Sequence, residues 1–120
     1  MKRAHKNLDV WKEGMELATA IYKATTGFPV SETYGLTGQM RRAAVSVPSN
    51  IAEGAARSPK EFAQFLTIAG GSLSELDTQL EIALRLSYLT DQQHQGLQAA
   101  LDSIAQKLAG LIAHVRRKTT

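Results

Sequence analysis

Three histidines, eleven carboxylates and no cysteine are the side chains from which this 120-residue chain could assemble a reactive centre. Without cysteine there is no thiolate metal site, no thiol nucleophile and no disulfide framework. His5 lies in the N-terminal tail, and His94 and His114 fall near opposite ends of one helical segment, so the three cannot converge within one copy. Metal sites in helix bundles need Glu-x-x-His on two helices plus further carboxylates. The nearest approach is Asp91-Gln92-Gln93-His94, and no metal is expected. Gly70-Gly71 has neither the spacing nor the preceding strand of a phosphate loop. No serine has the strand–turn–helix setting of an activated nucleophile. Asp77 and Glu81 lie one helical turn apart, as on a solvated face. Neither an enzyme nor a cofactor is expected from these residues.

Glu75 stands apart because it interrupts an apolar stripe of Phe65, Ile68, Ile82, Leu86 and Leu89. Two antiparallel helices paired outward from a loop at Ala56–Arg57 would set Arg41 and Arg42 opposite residues 71 and 72. Glu75 is then about one turn away, and a partly buried Arg–Glu pair is the expectation. Such a pair sets register or assembly more than it adds stability. If the chain were an enzyme or a small-ligand bundle, a polar pocket around Glu75 would be the place for it.

The elements that position these residues are marked by punctuation. Breaks fall at Gly27-Phe28-Pro29, at Gly54 to Pro59 and at Thr90-Asp91, and each intervening segment has helical rhythm. Val10, Gly14, Leu17 and Ile21 recur at steps of 4, 3 and 4, as do Leu36, Met40, Ala43, Val47 and Ile51 in the second segment. Leu97, Leu101, Ile104, Leu108, Leu111 and Val115 form a heptad-like seam suited to near-parallel packing. The third segment carries a second apolar stripe beside Phe62, Leu66, Ala69, Leu73, Leu76, Leu80 and Ala83. It is therefore the central helix or faces another subunit. Ser58-Pro59-Lys60-Glu61 and Thr90-Asp91-Gln92-Gln93 are helix-start signals. Pro48 interrupts the second helix and predicts a kink rather than a break. Around Gly70-Gly71, Ala69–Ser72 is expected to make a flat patch where another helix approaches closely, with a hinge or ligand floor as the other reading. The chain is thus one all-α domain over residues 1–120, an antiparallel up-down four-helix bundle with helices at about 8–25, 33–54, 59–89 and 91–117.

Charge is distributed unevenly. The formal net charge is +3, but the tails 1–6 and 116–120 hold Lys2, Arg3, Lys6, Arg116, Arg117 and Lys118 and no acid. The remaining body keeps 8 of the 14 basic residues against all 11 acids, and so is mildly acidic. An up-down bundle brings both tails to one pole, beside Arg57 and Lys60 of the second loop. Eight cations gather there, with Asp9, Glu53 and Glu61 as the acids nearby. Such a pole suits a phosphate backbone of RNA or DNA without reading sequence. The plainer reading is that the tails only aid solubility. Met1–Gly14 lacks the apolar core of a signal peptide. The longest uncharged stretch, Phe62–Ser74, is too short to span a bilayer. A cytoplasmic protein with no membrane partner is expected.

Tyr34 through Gly54 is distinctive, above all Arg41-Arg42-Ala43, Ser46, Pro48 and Asn50-Ile51-Ala52-Glu53-Gly54. With Leu8-Asp9-Val10-Trp11-Lys12, Lys60-Glu61-Phe62, Phe65-Leu66 and Gly71 to Leu76, it resembles the bacterial four-helix-bundle family of the 23S rRNA intervening-sequence protein. The resemblance spans about residues 8–115. It implies a kinked second helix and a homo-oligomer, a ring-shaped homopentamer, without implying a settled activity. A related accessory protein of diversity-generating retroelements is similar in fold and binds nucleic acid and a reverse transcriptase, which makes a nucleic-acid enzyme a conceivable partner. The polar motif Arg41, Arg42, Ser46, Pro48, Asn50, Glu53, Gly54 and Glu75 is read as structural. Self-association has its own physical ground, since Trp11, Phe65 and Ile68 would otherwise expose apolar area. A purely structural protein–protein assembly without nucleic acid is the alternative.

Overall fold

The computed structural model describes residues 3–119. Lys2, assigned above to the basic pole, lies outside them. Four helices account for most of the chain: α1 (Asp9–Thr25), α2 (Leu36–Ala55), α3 (Pro59–Arg85) and α4 (Asp91–Arg117). Short 3-10 turns at Ala4–Asn7 and Val30–Glu32 precede α1 and α2. No strand occurs among the described residues. Each helix packs on its neighbour in sequence, α4 closes against α1, and no diagonal pair touches, so the four form a square antiparallel bundle.

The periodic apolar positions form its core. Leu17, Ile21, Met40, Val47, Ile51, Leu66, Leu76, Leu80, Ile104 and Leu108 are sealed from solvent. The α4 seam is buried at Leu97, Leu101, Ile104, Leu108 and Val115, while Leu111 is half-buried. α2 passes through Pro48 without interruption, and the proline itself is buried beside Gly14 of α1. The second stripe is covered only in part: Leu89 is buried and Phe65 half-buried, while Ile68, Ile82 and Leu86 are 52%, 42% and 50% exposed.

The helix starts follow their signals. Ser58 Oγ accepts from the Glu61 amide, and Pro59 occupies the first turn. Glu61 does not complete the box: its carboxylate takes the Ser58 hydroxyl instead, at 2.9 Å. At Thr90 both halves are made, Gln93 N to Thr90 Oγ1 at 3.1 Å and Thr90 N to Gln93 Oε1 at 2.9 Å. α2 starts at Leu36 rather than 33 because the chain first makes the 3-10 turn. Glu32 then supplies the missing acceptor, taking the Leu36 amide at 3.1 Å and the Tyr88 hydroxyl at 2.9 Å. One carboxylate thereby ties the first and third loops, and it pushes the Tyr88 phenol pKa up.

α3 ends at Arg85, four residues before the expected 89. Tyr88 N bonds Ala83 O at 2.9 Å and Ser87 N bonds Leu84 O at 3.0 Å, a Schellman closure. Its left-handed residue is Ser87, at φ 61°. Glycine usually holds this position because a Cβ there is unfavourable. Ser87→Gly is therefore expected to raise stability by up to about 1 kcal/mol, read as a higher urea midpoint. A lower midpoint would show that the serine side chain supports the turn.

Within the Ala69–Ser72 patch, Ala69 is fully buried and Ser72 meets Ser46 of α2, but the two glycines are not points of close approach. A Cβ on Gly70 would meet only Leu108 Cδ2 at an ordinary 3.7 Å, and one on Gly71 would meet nothing within 4 Å. The close approach lies at Gly54, where a Cβ would stand 2.6 Å from Phe65 Cβ and 3.0 Å from Phe62 Cδ1.

Candidate nucleic-acid interface

Up-down topology dictates which residues share an end. The start of α1, the α2–α3 connection and the end of α4 lie together, and Arg116 of α4 reaches Thr67 of α3, Nη2 to Oγ1 at 3.4 Å. Arg3, Lys6, Arg57, Lys60, Arg116, Arg117 and Lys118 are thus brought to one pole. His5 packs edge-on against Trp11, with ring centroids 5.1 Å apart, which holds the N-terminal 3-10 turn on α1.

The cations are not equivalent. Arg57 donates to Glu53 at 2.7 Å and to Glu61 at 3.4 Å, and its guanidinium lies over the Phe65 ring at 5.2 Å. Glu53 first, then Glu61, holds Arg57 still more firmly charged, while the Ser58 hydroxyl and Arg57 hold the Glu61 carboxyl below its ordinary value. Two of the three acids expected at this pole are therefore spent on one arginine. Lys60 and Arg116 instead line a common groove with Gln64, Thr67 and Thr119 and no carboxylate. Up-down topology assigns Lys60 and Arg116 to this pole. The neutral polar residues between them become neighbours only when α3 and α4 pack.

The expected pairing of Arg41 or Arg42 with Glu75 is not made. Ser46 Oγ meets Ser72 Oγ at 2.8 Å, so α2 and α3 are offset by more than one turn from the assumed register. The cross-helix pairing is thus centred nearer residue 59, although the connecting residues 56–58 are centred on Arg57. Glu75 is exposed and Arg42 is exposed. Arg41 turns to α1: Nε donates to Thr25 Oγ1 at 2.9 Å, Nη2 to Tyr22 O at 3.3 Å, and the guanidinium covers the Tyr22 ring at 4.6 Å. Asn50 Nδ2 donates to Ser46 O and Ser46 Oγ, both at 2.8 Å. Arg41, Ser46 and Gly54 thus make or permit contacts that fix α2 on its neighbours, while Asn50 bonds within α2 and Glu53 pairs with Arg57 of the α2–α3 connection.

Of the residues assigned to self-association, Trp11 and Phe65 are half-buried within their own copy, and Ile68 is exposed. A second apolar surface went unseen in the sequence. Trp11, Met15, Tyr22, Val45 and Pro48 line a groove of about 500 Å³ between α1 and α2. Its residues belong to two segments, each of which reads as ordinary helix alone. The opposite pole is quiet in charge: Arg85 pairs with Glu81 at 2.9 Å, and Glu32 is taken by Tyr88 and the α2 start. No group of three or more His, Asp or Glu among the described residues could hold a metal ion. No described helix is long and apolar enough to cross a membrane.

Along the body, Glu13 pins α1 to α4 by accepting from Lys107 Nζ and from Ser103 Oγ. Lys107 holds the Glu13 carboxyl below its ordinary value, and Glu13 raises the Lys107 ammonium in return. The Glu13 contribution is present above the unfolded carboxyl pKa and is lost as pH falls through the lower folded one. The Lys107 contribution is present below the unfolded ammonium pKa and is lost as pH rises through the higher folded one. Urea midpoints of the parent chain and of Glu13→Gln are expected to differ modestly near neutrality and to converge in acid, since the pair is partly solvated. Parallel curves at every pH would show that the pin carries no stability.

The family model for the 23S rRNA-intervening sequence protein matches residues 6–110. The chain belongs to that family. A solved structure described as a protein of unknown function from the S23 ribosomal protein family, from Bacteroides thetaiotaomicron VPI-5482, superposes with a TM-score of 0.76. It is 27% identical, over 86% of this chain and 97% of that one. No curated protein matches the chain. The intervening-sequence family match takes in all of α1 to α3, most of α4 and the Arg41–Gly54 motif, but stops short of Arg116, Arg117 and Lys118.

Proposed function

We propose that this member of the intervening-sequence family is a non-enzymatic binding or scaffold module that assembles with copies of itself and presents its basic pole to RNA or DNA. The observation that carries the reading is the segregation of charge. Arg3, Lys6, Lys60, Arg116 and Lys118 share one end of the bundle and form no ion pair with a described carboxylate, whereas Arg57 does. Self-assembly is supported by two different apolar surfaces on one copy, the α1–α2 groove and the Ile82–Leu86 part of the outer stripe of α3. Surfaces that differ associate heterologously, and a closed heterologous set is a ring. A ring points every copy the same way, so its basic poles merge into one face. Five copies is the number the family resemblance favours. A nucleic-acid enzyme docked on the same assembly fits this reading.

Binding of labelled RNA and DNA by the whole chain, compared between about 50 and about 200 mM salt, tests it, because each phosphate contact adds to the salt slope. Binding at the lower salt that weakens steeply is expected, and Arg3→Glu, Lys6→Glu and Lys118→Glu together should abolish it. No binding at the lower salt, or binding indifferent to those charge reversals, would leave a purely structural protein–protein assembly as the function.

A further inference from the structure

Between the first turns of α3 and the end of α4 runs an open groove of about 750 Å³. Lys60, Gln64 and Thr67 rise from α3, Arg116 and Thr119 come from the end of α4, and Ala63 and Ile68 supply apolar surface. Every polar residue that lines it carries a donor, and two carry a full positive charge. The nearest carboxylate in sequence, Glu61, is turned away to Arg57 and Ser58. Arg116 is placed across the groove by its contact with Thr67. The Thr67 and Thr119 hydroxyls donate to Ala63 O and Arg116 O, so an anion here meets two cations and the Gln64 amide, with no carboxylate lining the groove.

We infer that this groove is a subsite for the phosphodiester of single-stranded nucleic acid, with Lys60 and Arg116 flanking one phosphate and the attached nucleoside resting on Ile68 and Ala63. The inference rests on the reading of the basic pole and goes further by naming the contact and the strand form. Phosphate alone does not explain the apolar floor. A duplex offers a groove of this kind only its charged outer edge, because its bases are stacked inside. A single strand can turn a sugar and an unstacked base onto apolar surface while its phosphate meets the cations. No aromatic side chain lines the groove, so the contact is with the sugar and base edge and carries no strong base preference.

The test uses the full chain with labelled oligouridine and with the same strand paired to oligoadenine. The double variant Lys60→Gln/Arg116→Gln is expected to lower the single-strand salt slope by roughly 1.4, two contacts at about 0.7 each. It should also lose the preference for single strand over duplex. Arg85→Gln, which removes a cation paired with Glu81 at the opposite pole, should leave the slope unchanged. A helical circular-dichroism spectrum and an unchanged melting temperature confirm that the variants fold. If the double variant keeps both slope and strand preference while reversal of Arg3, Lys6 and Lys118 abolishes binding, the groove assignment is overturned and the basic pole stands. If the parent chain binds neither probe at low salt, the reading beneath it fails as well.

Discussion

Gly54→Ala is expected to destabilise the bundle by about 1–3 kcal/mol, the range for forcing extra volume into a well-packed contact. The added Cβ would lie 2.6 Å from Phe65 Cβ, an atom fixed to the α3 backbone, and 3.0 Å from a Phe62 ring carbon. No rotation of Phe65 moves its Cβ away, so α2 and α3 must separate where only three residues connect them. Alanine gains up to about 1 kcal/mol of helix propensity over glycine, but less at the last turn of a helix, so the clash wins. Gly71→Ala is the matched comparison. It lies mid-helix with nothing within 4 Å of the new methyl, so the same substitution should stabilise by up to about 1 kcal/mol. Urea unfolding monitored by circular dichroism reads both. Equal effects at the two positions would show that the α2–α3 approach is looser than the geometry indicates.

The second large effect concerns the outer face of α3. Ile82→Lys and Leu86→Lys alter side chains about half exposed in a single copy. Surface changes of this kind usually move stability by less than about 0.5 kcal/mol, so the monomer should fold as before. If that stripe seats against the α1–α2 groove of the next copy, each lysine buries an unpaired charge in the contact. Light scattering should then show the mass of the parent assembly falling to that of one copy, with helicity retained. An unchanged mass would exclude this stripe from the interface, and a parent chain that is already monomeric would remove the ring. Tyr22→Lys, in the groove, should produce the same dissociation without touching α3.

Much of this architecture was legible in the sequence, because helix rhythm and caps are local. The steps along α4 and the Ser58 and Thr90 starts involve residues within a few positions of one another, and the structure places them as the spacing requires. Missed features needed partners distant in sequence or an unusual residue. α3 was drawn too long because its left-handed closing residue is Ser87, where the expected sign is glycine or asparagine. Arg41 was sent to Glu75 because the register of α2 on α3 depends on where the cross-helix pairing is centred. A shift of a few residues rotates every expected cross-helix pair. The same limit applied at the basic pole. Up-down topology assigns its location, and Glu53 and Glu61 lie four residues either side of Arg57, but only packing shows that Lys60 and Arg116 line one groove.

The square antiparallel arrangement has a consequence for how that pole acquires its sign. Two helices begin there, α1 and α3, and two end there, α2 and α4. Each helix contributes a macrodipole worth roughly half a charge at either end, and here the opposed pairs cancel. The backbone therefore gives neither end of the bundle an electrical preference. Whatever field this end projects comes from side chains in the tails and the second loop, few of which take part in the core. Its sign and strength can thus be rewritten by point substitution while the bundle stays whole, so relatives with this same scaffold are free to face quite different partners.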